Sequence, residues 1–328
     1  MVEKAYWHPV ARSDELTGAP LGVVLLGQRV VLWRDDGGQP HAWDDQCPHR
    51  GACLSLGRVH AGRLECPYHG WQFDAGGRCV QVPAVPSFVP PQSHAATVFD
   101  VAERYGLIWV RLDPAEATAG VPPFMAEGDD ALRKLNCGPY DVQTSAGRIV
   151  ENFLDMAHFG FVHEGWLGSR EFTSVGDYVV ASTDTGLVVT ECKAWQPQSN
   201  LHSTAPAQVE YTYEVTSPYT VVLTKVPEAH TVSLPGYREA IGLFVCPVTP
   251  QSSRVWFRMA VADHASADEK LRDFQHTIFM QDKPVLESQL PRELPLDVRA
   301  EVHTVADRAS SAYRRFLAGL NFSFGVLK

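Results

Sequence analysis

Short apolar runs separated by turn residues fill the first third of the chain. Residues 21–26, 30–34, 60–66, 71–73 and 107–112 carry the β-branched, aromatic and aliphatic side chains of strands. Asp35-Asp36-Gly37-Gly38 and Asp74-Ala75-Gly76-Gly77 have hairpin chemistry, because glycine accepts the positive φ of a tight turn. The pattern predicts a small, turn-rich β domain, followed by a Pro- and Ala-rich linker over residues 113–123.

Beyond the linker the periodicity changes. Residues 149–163 read as helical, and strand-like runs follow at 178–181, 187–194, 209–215, 220–226, 241–245 and 255–261. Residues 267–280 set Leu271, Phe274 and Ile278 on one helical face opposite charged residues, and Pro284 predicts the end of that helix. A last helix is predicted over 305–320. Helices grouped at the ends of a mostly antiparallel sheet make an α+β domain, so the expected division is 1–120 and 121–328.

Composition narrows the function classes. The chain has 328 residues, 45% of them apolar, enough for sizeable cores. Its formal charge of -10 has no compensating basic face, which argues against nucleic-acid or anionic-membrane partners. No stretch approaches the roughly 18 apolar residues of a membrane span. Residues 1–10 lack the apolar centre of a secretory signal, and seven cysteines, an odd number, argue against a disulfide framework. The expected location is the cytoplasm.

Two loops then carry chemistry. Cys47-Pro48-His49-Arg50-Gly51 and Cys66-Pro67-Tyr68-His69-Gly70-Trp71 each offer one thiolate and one imidazole. Zinc fingers group Cys with Cys and His with His, whereas each loop here mixes them. The mixed order suits a 2Fe-2S cluster with Cys47 and Cys66 on one iron and His49 and His69 on the other, a split that raises the reduction potential above that of an all-Cys cluster. A structural zinc is the rival reading. Cys53, Cys79, Cys137, Cys192 and Cys246 match neither loop and are expected to be small core residues.

A second constellation lies downstream. Asp155 and His158 are three apart on one predicted helical face, and His163 follows five later. Five residues turn an ideal helix about 500°, so both imidazoles reach one metal only if the helix breaks, and Gly160 is the expected place. Two neutral imidazoles call for an anionic partner in an Fe(II) facial site; Asp282 is the candidate and Glu287 the alternative.

With these motifs, the whole chain resembles the α-subunits of Rieske non-haem iron oxygenases. Tyr6-Trp7-His8-Pro9-Val10, Cys66 to Trp71, Glu103-Arg104-Tyr105-Gly106-Leu107-Ile108-Trp109-Val110 and Asp282-Lys283-Pro284-Val285-Leu286-Glu287-Ser288-Gln289 look like the bacterial methylxanthine N-demethylases. His163-Glu164-Gly165-Trp166-Leu167-Gly168 and Ala312-Tyr313-Arg314-Arg315 also look like oxygenases of the saxitoxin pathway. The resemblance implies an all-β Rieske domain followed by a helix-grip catalytic domain, a homotrimer, and an NADH-fed reductase carrying flavin and its own iron-sulfur cluster. It implies that Cys47, His49, Cys66 and His69 hold the cluster, that His158, His163 and Asp282 hold the iron, and that Asp155 links His158 to a cluster histidine of a neighbouring subunit.

The expected activity is N- or O-demethylation of a small, planar heteroaromatic with O2; the alternative is hydroxylation of an aromatic or alkaloid-like molecule without demethylation. Pocket walls are expected from the sheet between 175 and 261 and from Phe153 and Phe159. Arg50, Arg58 and Arg63 are expected to face an acidic reductase. A Rieske electron carrier without oxygen chemistry is the reading from a different class, and it predicts no second metal.

Overall fold

The turn chemistry of the first third closes real hairpins in the computed structural model, which describes residues 1–113 and 120–328. The expected linker thus falls, for residues 114–119, outside the described residues. One compact unit comprises Glu3–Val121 and a second Met1–Val2 with Pro122–Lys328.

In the first unit the strands are β1 (His8–Arg12), β2 (Leu21–Leu25), β3 (Gln28–Arg34), β4 (Pro40–Asp44), β5 (Arg58–His60), β6 (Arg63–Glu65), β7 (Gln72–Phe73), β8 (Cys79–Gln81), β9 (Val98–Arg104) and β10 (Leu107–Arg111). They form a six-stranded sheet, β1-β10-β9-β4-β3-β2, and a four-stranded sheet, β5-β6-β7-β8. The single strand expected over 60–66 is two. Ala61 and Gly62, at φ +50° and +67°, make a two-residue turn of the twist that hairpins favour. Strand β9 escapes the apolar pattern because most of it is only half-buried.

The second unit is built on one antiparallel sheet: β11 (Arg133–Val142), β12 (Val179–Ser182), β13 (Leu187–Gln196), β14 (Ala207–Ser217), β15 (Thr220–Pro227), β16 (Glu239–Thr249) and β17 (Ser252–Val261), in the order β11-β17-β16-β15-β14-β13-β12. The edge strand β11 was not legible because Gly138-Pro139 interrupts it. Proline has no ladder donor and is tolerated at the irregularity between Cys137 and Tyr140. Helices α1 (Ala146–Leu154), α2 (Phe159–Val162), α3 (Asp268–Ser288) and α4 (Arg308–Gly319) complete the α+β fold.

Two helix expectations need correction. The helix predicted over 149–163 breaks at Asp155, where the backbone is extended, and Gly160 lies inside α2. Asp155 therefore meets His158 across a turn and not along a helical face. Helix α3 does not stop before Pro284. Burial of Ile278, Asp282 and Leu286 along one face carries it to Ser288, although proline removes one backbone donor.

Candidate metal centres

Both loops of the first unit fold alike. Cys47 N–H donates to Ala52 O at 2.8 Å and Gly51 N–H to Cys47 O at 2.8 Å; Cys66 N–H donates to Trp71 O at 2.8 Å and Gly70 N–H to Cys66 O at 3.1 Å. Each loop ends on a left-handed glycine, Gly51 at φ +73° and Gly70 at φ +69°, which is what the shared Cys-to-Gly spacing encodes. Cys47 and Cys66 are buried among Trp33, Trp43, Leu54, Leu64 and Phe73, with their thiols within hydrogen-bonding reach.

The His49 and His69 rings lie 4.6 Å apart, and His49 stacks on Trp71 at 4.5 Å and 8°. His49 Nδ1 is buried without a hydrogen-bond partner. An orphaned buried nitrogen is costly, and a metal bond would satisfy it. Donors on a tetrahedral zinc lie about 3.5 Å apart. Among the described residues, no three of these four donors come within 4.8 Å of one another. A cluster that divides its ligands between two irons fits this spread; a single zinc does not. The other five cysteines are also free; all but Cys53 are buried, and Cys53 Sγ accepts from Arg29 Nη1 at 3.1 Å.

The second constellation converges on one point. His158 Nε2 and His163 Nε2 are 3.2 Å apart, and Asp282 Oδ1 lies 3.4 Å from the first and 3.2 Å from the second. Among the described residues this is the one set of three potential donors within 4.8 Å of one another. Facial donors about 2.1 Å from an octahedral ion lie about 3.0 Å apart, so the triangle closes on a metal with small movements. Glu287 stands outside it and accepts the Gln143 N–H at 2.9 Å.

The neighbours hold the donors in place. Asp155 Oδ2 faces His158 Nδ1 at 2.9 Å, and its Oδ1 accepts the Ala157 N–H at 2.9 Å. Burial opposes ionisation of Asp155, but His158 and the two backbone N–H groups outweigh it and hold the carboxyl below its usual range. His163 Nδ1 faces Gln281 Oε1 at 2.8 Å, and Asn152 Nδ2 donates to Asp282 Oδ1 at 3.4 Å. Sequence reasoning missed Gln281 and Asn152; neither belongs to a spacing motif.

All three donors border one cavity. Phe153, Phe159, Tyr211, Tyr213, Phe257 and Phe279 supply its aromatic walls, and Asn152, Lys225, Glu239 and Gln275 its other polar groups. It encloses about 80 Å³ open to the centre of a water-sized sphere, and about 760 Å³ of space between atoms when its mouth is included. A metal on the triangle would face a largely apolar chamber.

Comparison with known proteins agrees with this geometry. A profile described as the Rieske 2Fe-2S domain matches residues 6–99, and one described as the vanillate O-demethylase oxygenase C-terminal domain matches residues 142–321. The chain is 35% identical over 326 residues to the methylxanthine N1-demethylase NdmA of Pseudomonas putida, covering 96% of this chain and 88% of that protein. It is 32% identical to the methylxanthine N3-demethylase NdmB of the same organism, covering 97% and 89%. The structure of Pseudomonas putida CBB5 NdmA with caffeine superposes with a TM-score of 0.86 at 32% identity, over 97% of this chain and 90% of that one. Dicamba monooxygenase bound to 3,6-dichlorosalicylic acid gives 0.84 at 26% identity, over 98% and 97%.

Proposed function

Because the chain belongs to the Rieske non-haem iron oxygenases, we propose that it removes an N- or O-methyl group from a small, neutral heteroaromatic by oxidising the methyl carbon. Membership carries the coarser conclusions: the protein is an O2-incorporating oxidoreductase that uses a 2Fe-2S cluster and a mononuclear iron and draws electrons from a reductase. On this reading Cys47, His49, Cys66 and His69 hold the cluster and His158, His163 and Asp282 hold the iron, which their donor chemistry supports.

The observation that carries the substrate class is the chamber itself. Its aromatic walls open directly onto the three donors, so a flat ring system that fills it brings a peripheral methyl group to the metal face. Likeness to two methylxanthine demethylases over nearly the whole chain supports the same class. When bound, the iron supplies reductive activation of O2. The chain's own residues position the substrate, exclude water and keep both imidazoles in the ligating tautomer. One oxygen atom enters the methyl C–H bond and the other leaves as water, with two electrons from NADH through the reductase. The resulting hemiaminal or hemiacetal releases formaldehyde.

The working form we assign is a homotrimer in the cytoplasm, with Asp155 linking His158 to a cluster histidine of the next subunit. A mass other than three chains by light scattering would sink the trimer. None of the seven cysteines is in a disulfide, and no helix among the described residues is long and apolar enough to cross a membrane.

The deciding experiment is turnover with a reductase, NADH and O2 over N-methyl, O-methyl and unmethylated heteroaromatics. Formaldehyde matching NADH consumption is expected. Product heavier by one oxygen without formaldehyde would make the enzyme a hydroxylase.

A further inference from the structure

A buried ion pair stands in the wall of the chamber. Lys225 and Glu239 face each other across β15 and β16, 3% and 6% exposed, with Nζ 3.1 Å from Oε1. On the same sheet face, the next cross-strand pair is Leu223 and Ile241. A charged pair where the strand pattern continues with aliphatics carries a heavy desolvation cost.

Its hydrogen bonds are closed except at one point. Glu239 Oε1 pairs with Lys225, and Oε2 accepts from the Tyr237 hydroxyl at 2.8 Å. Lys225 also donates to the Ser199 carbonyl. An ammonium has three N–H donors, so one is left over. The ring of Tyr211, another wall residue, lies 6.0 Å from Nζ.

Resting on the reading of this chamber as the substrate pocket, we propose that Lys225 orients the substrate by donating its third N–H to a neutral acceptor, typically a ring carbonyl oxygen. That bond would fix which methyl group faces His158, His163 and Asp282. Glu239 already balances the charge of Lys225, so a carboxylate substrate would add an uncompensated anion against that pair in an apolar chamber. The substrate class is therefore a neutral, carbonyl-bearing N-methyl heteroaromatic. Ser199 and Glu239 hold the ammonium in position, and Tyr237 holds Glu239.

Anaerobic equilibrium dialysis with iron- and cluster-loaded protein tests this. The probes are N-methyl-2-quinolone, N-methylindole without the carbonyl, and N-methylindole-2-carboxylate as the anion. Wild type is expected to bind the quinolone about 10- to 100-fold more tightly than the indole. The double variant Lys225→Met/Glu239→Gln, which strands neither charge, is expected to lose that ratio while keeping its cluster absorption and iron content. The proposal is overturned if wild type shows no such ratio or binds neither probe, if the ratio survives in the variant, or if the carboxylate binds best. Product assays separate the two readings. Intact discrimination without formaldehyde would sink demethylation alone, and formaldehyde without discrimination would sink the role of Lys225 alone.

Discussion

An imidazole binds a metal through whichever nitrogen is free of a proton, and the partner of the other nitrogen decides which that is. The Nδ1 atoms of His158 and His163 face acceptors, the Asp155 carboxylate at 2.9 Å and the Gln281 amide oxygen at 2.8 Å. Both Nδ1 atoms therefore carry the proton, which leaves both Nε2 lone pairs, 3.4 and 3.2 Å from Asp282 Oδ1, to bind a metal. Gln281→Leu removes this control from His163. Iron affinity is expected to fall about 10- to 100-fold with the cluster spectrum unchanged; an iron titration that matches wild type would show that packing alone orients the ring. The difference between donors and their supports also explains what the sequence disclosed. Metal chemistry restricts a donor to a few residue types, so His158, His163 and Asp282 stood out as candidates. Any oxygen within reach serves as a supporting acceptor, and Gln281 reaches His163 across 118 residues of chain.

At the scale of elements, the site depends on how tightly α2 is held. The Asp155 carboxylate accepts the N–H groups of Ala157 and His158 just after α1 ends, so the chain turns and starts α2 from a new direction. That side-chain stop was hidden in a sequence that reads as one continuous helix, where Gly160 looked like the weaker point. Gly160 serves packing instead: a Cβ there would lie 2.8 Å from Ser169 O. Gly168 is tighter still, since its Cβ would meet the Phe159 carbonyl carbon at 2.4 Å and Gly160 N at 2.5 Å. Both obstacles are backbone, so α2 must move to admit a methyl group. Gly168→Ala is expected to destabilise the fold by about 1–3 kcal/mol and to lower iron retention, although it touches no donor. Wild-type melting and iron content would show that the loop yields instead. Gly168, the last residue of the His163-to-Gly168 segment, is thus held to glycine by its contact with α2. On the far side, α1 is fastened to α4 by the nearly buried Arg148 and Arg314, which share Glu151 and Glu301.

On the scale of the whole molecule, each candidate centre is built within one compact unit. Cys47, His49, Cys66 and His69 all lie in Glu3–Val121, and His158, His163 and Asp282 all lie in Pro122–Lys328. Assembly of one centre therefore does not require the donors of the other, but turnover requires an electron to pass between them. On the reading proposed above, Asp155 serves that passage: its Oδ2 faces His158 Nδ1, and its side chain is 26% exposed against 14% for His158. An ionised carboxylate between two imidazole N–H groups gives a short, charge-assisted hydrogen-bonded route. Asp155→Ala, reconstituted to the iron content of wild type, is expected to show normal cluster absorption and normal cluster reduction by the reductase. In a single turnover with substrate and O2, its reduced cluster should reoxidise about 100-fold more slowly, with product lost in proportion. Reoxidation and coupled product formation at the wild-type rate would mean that Asp155 serves only the turn before α2, and that electrons enter the iron site by another path.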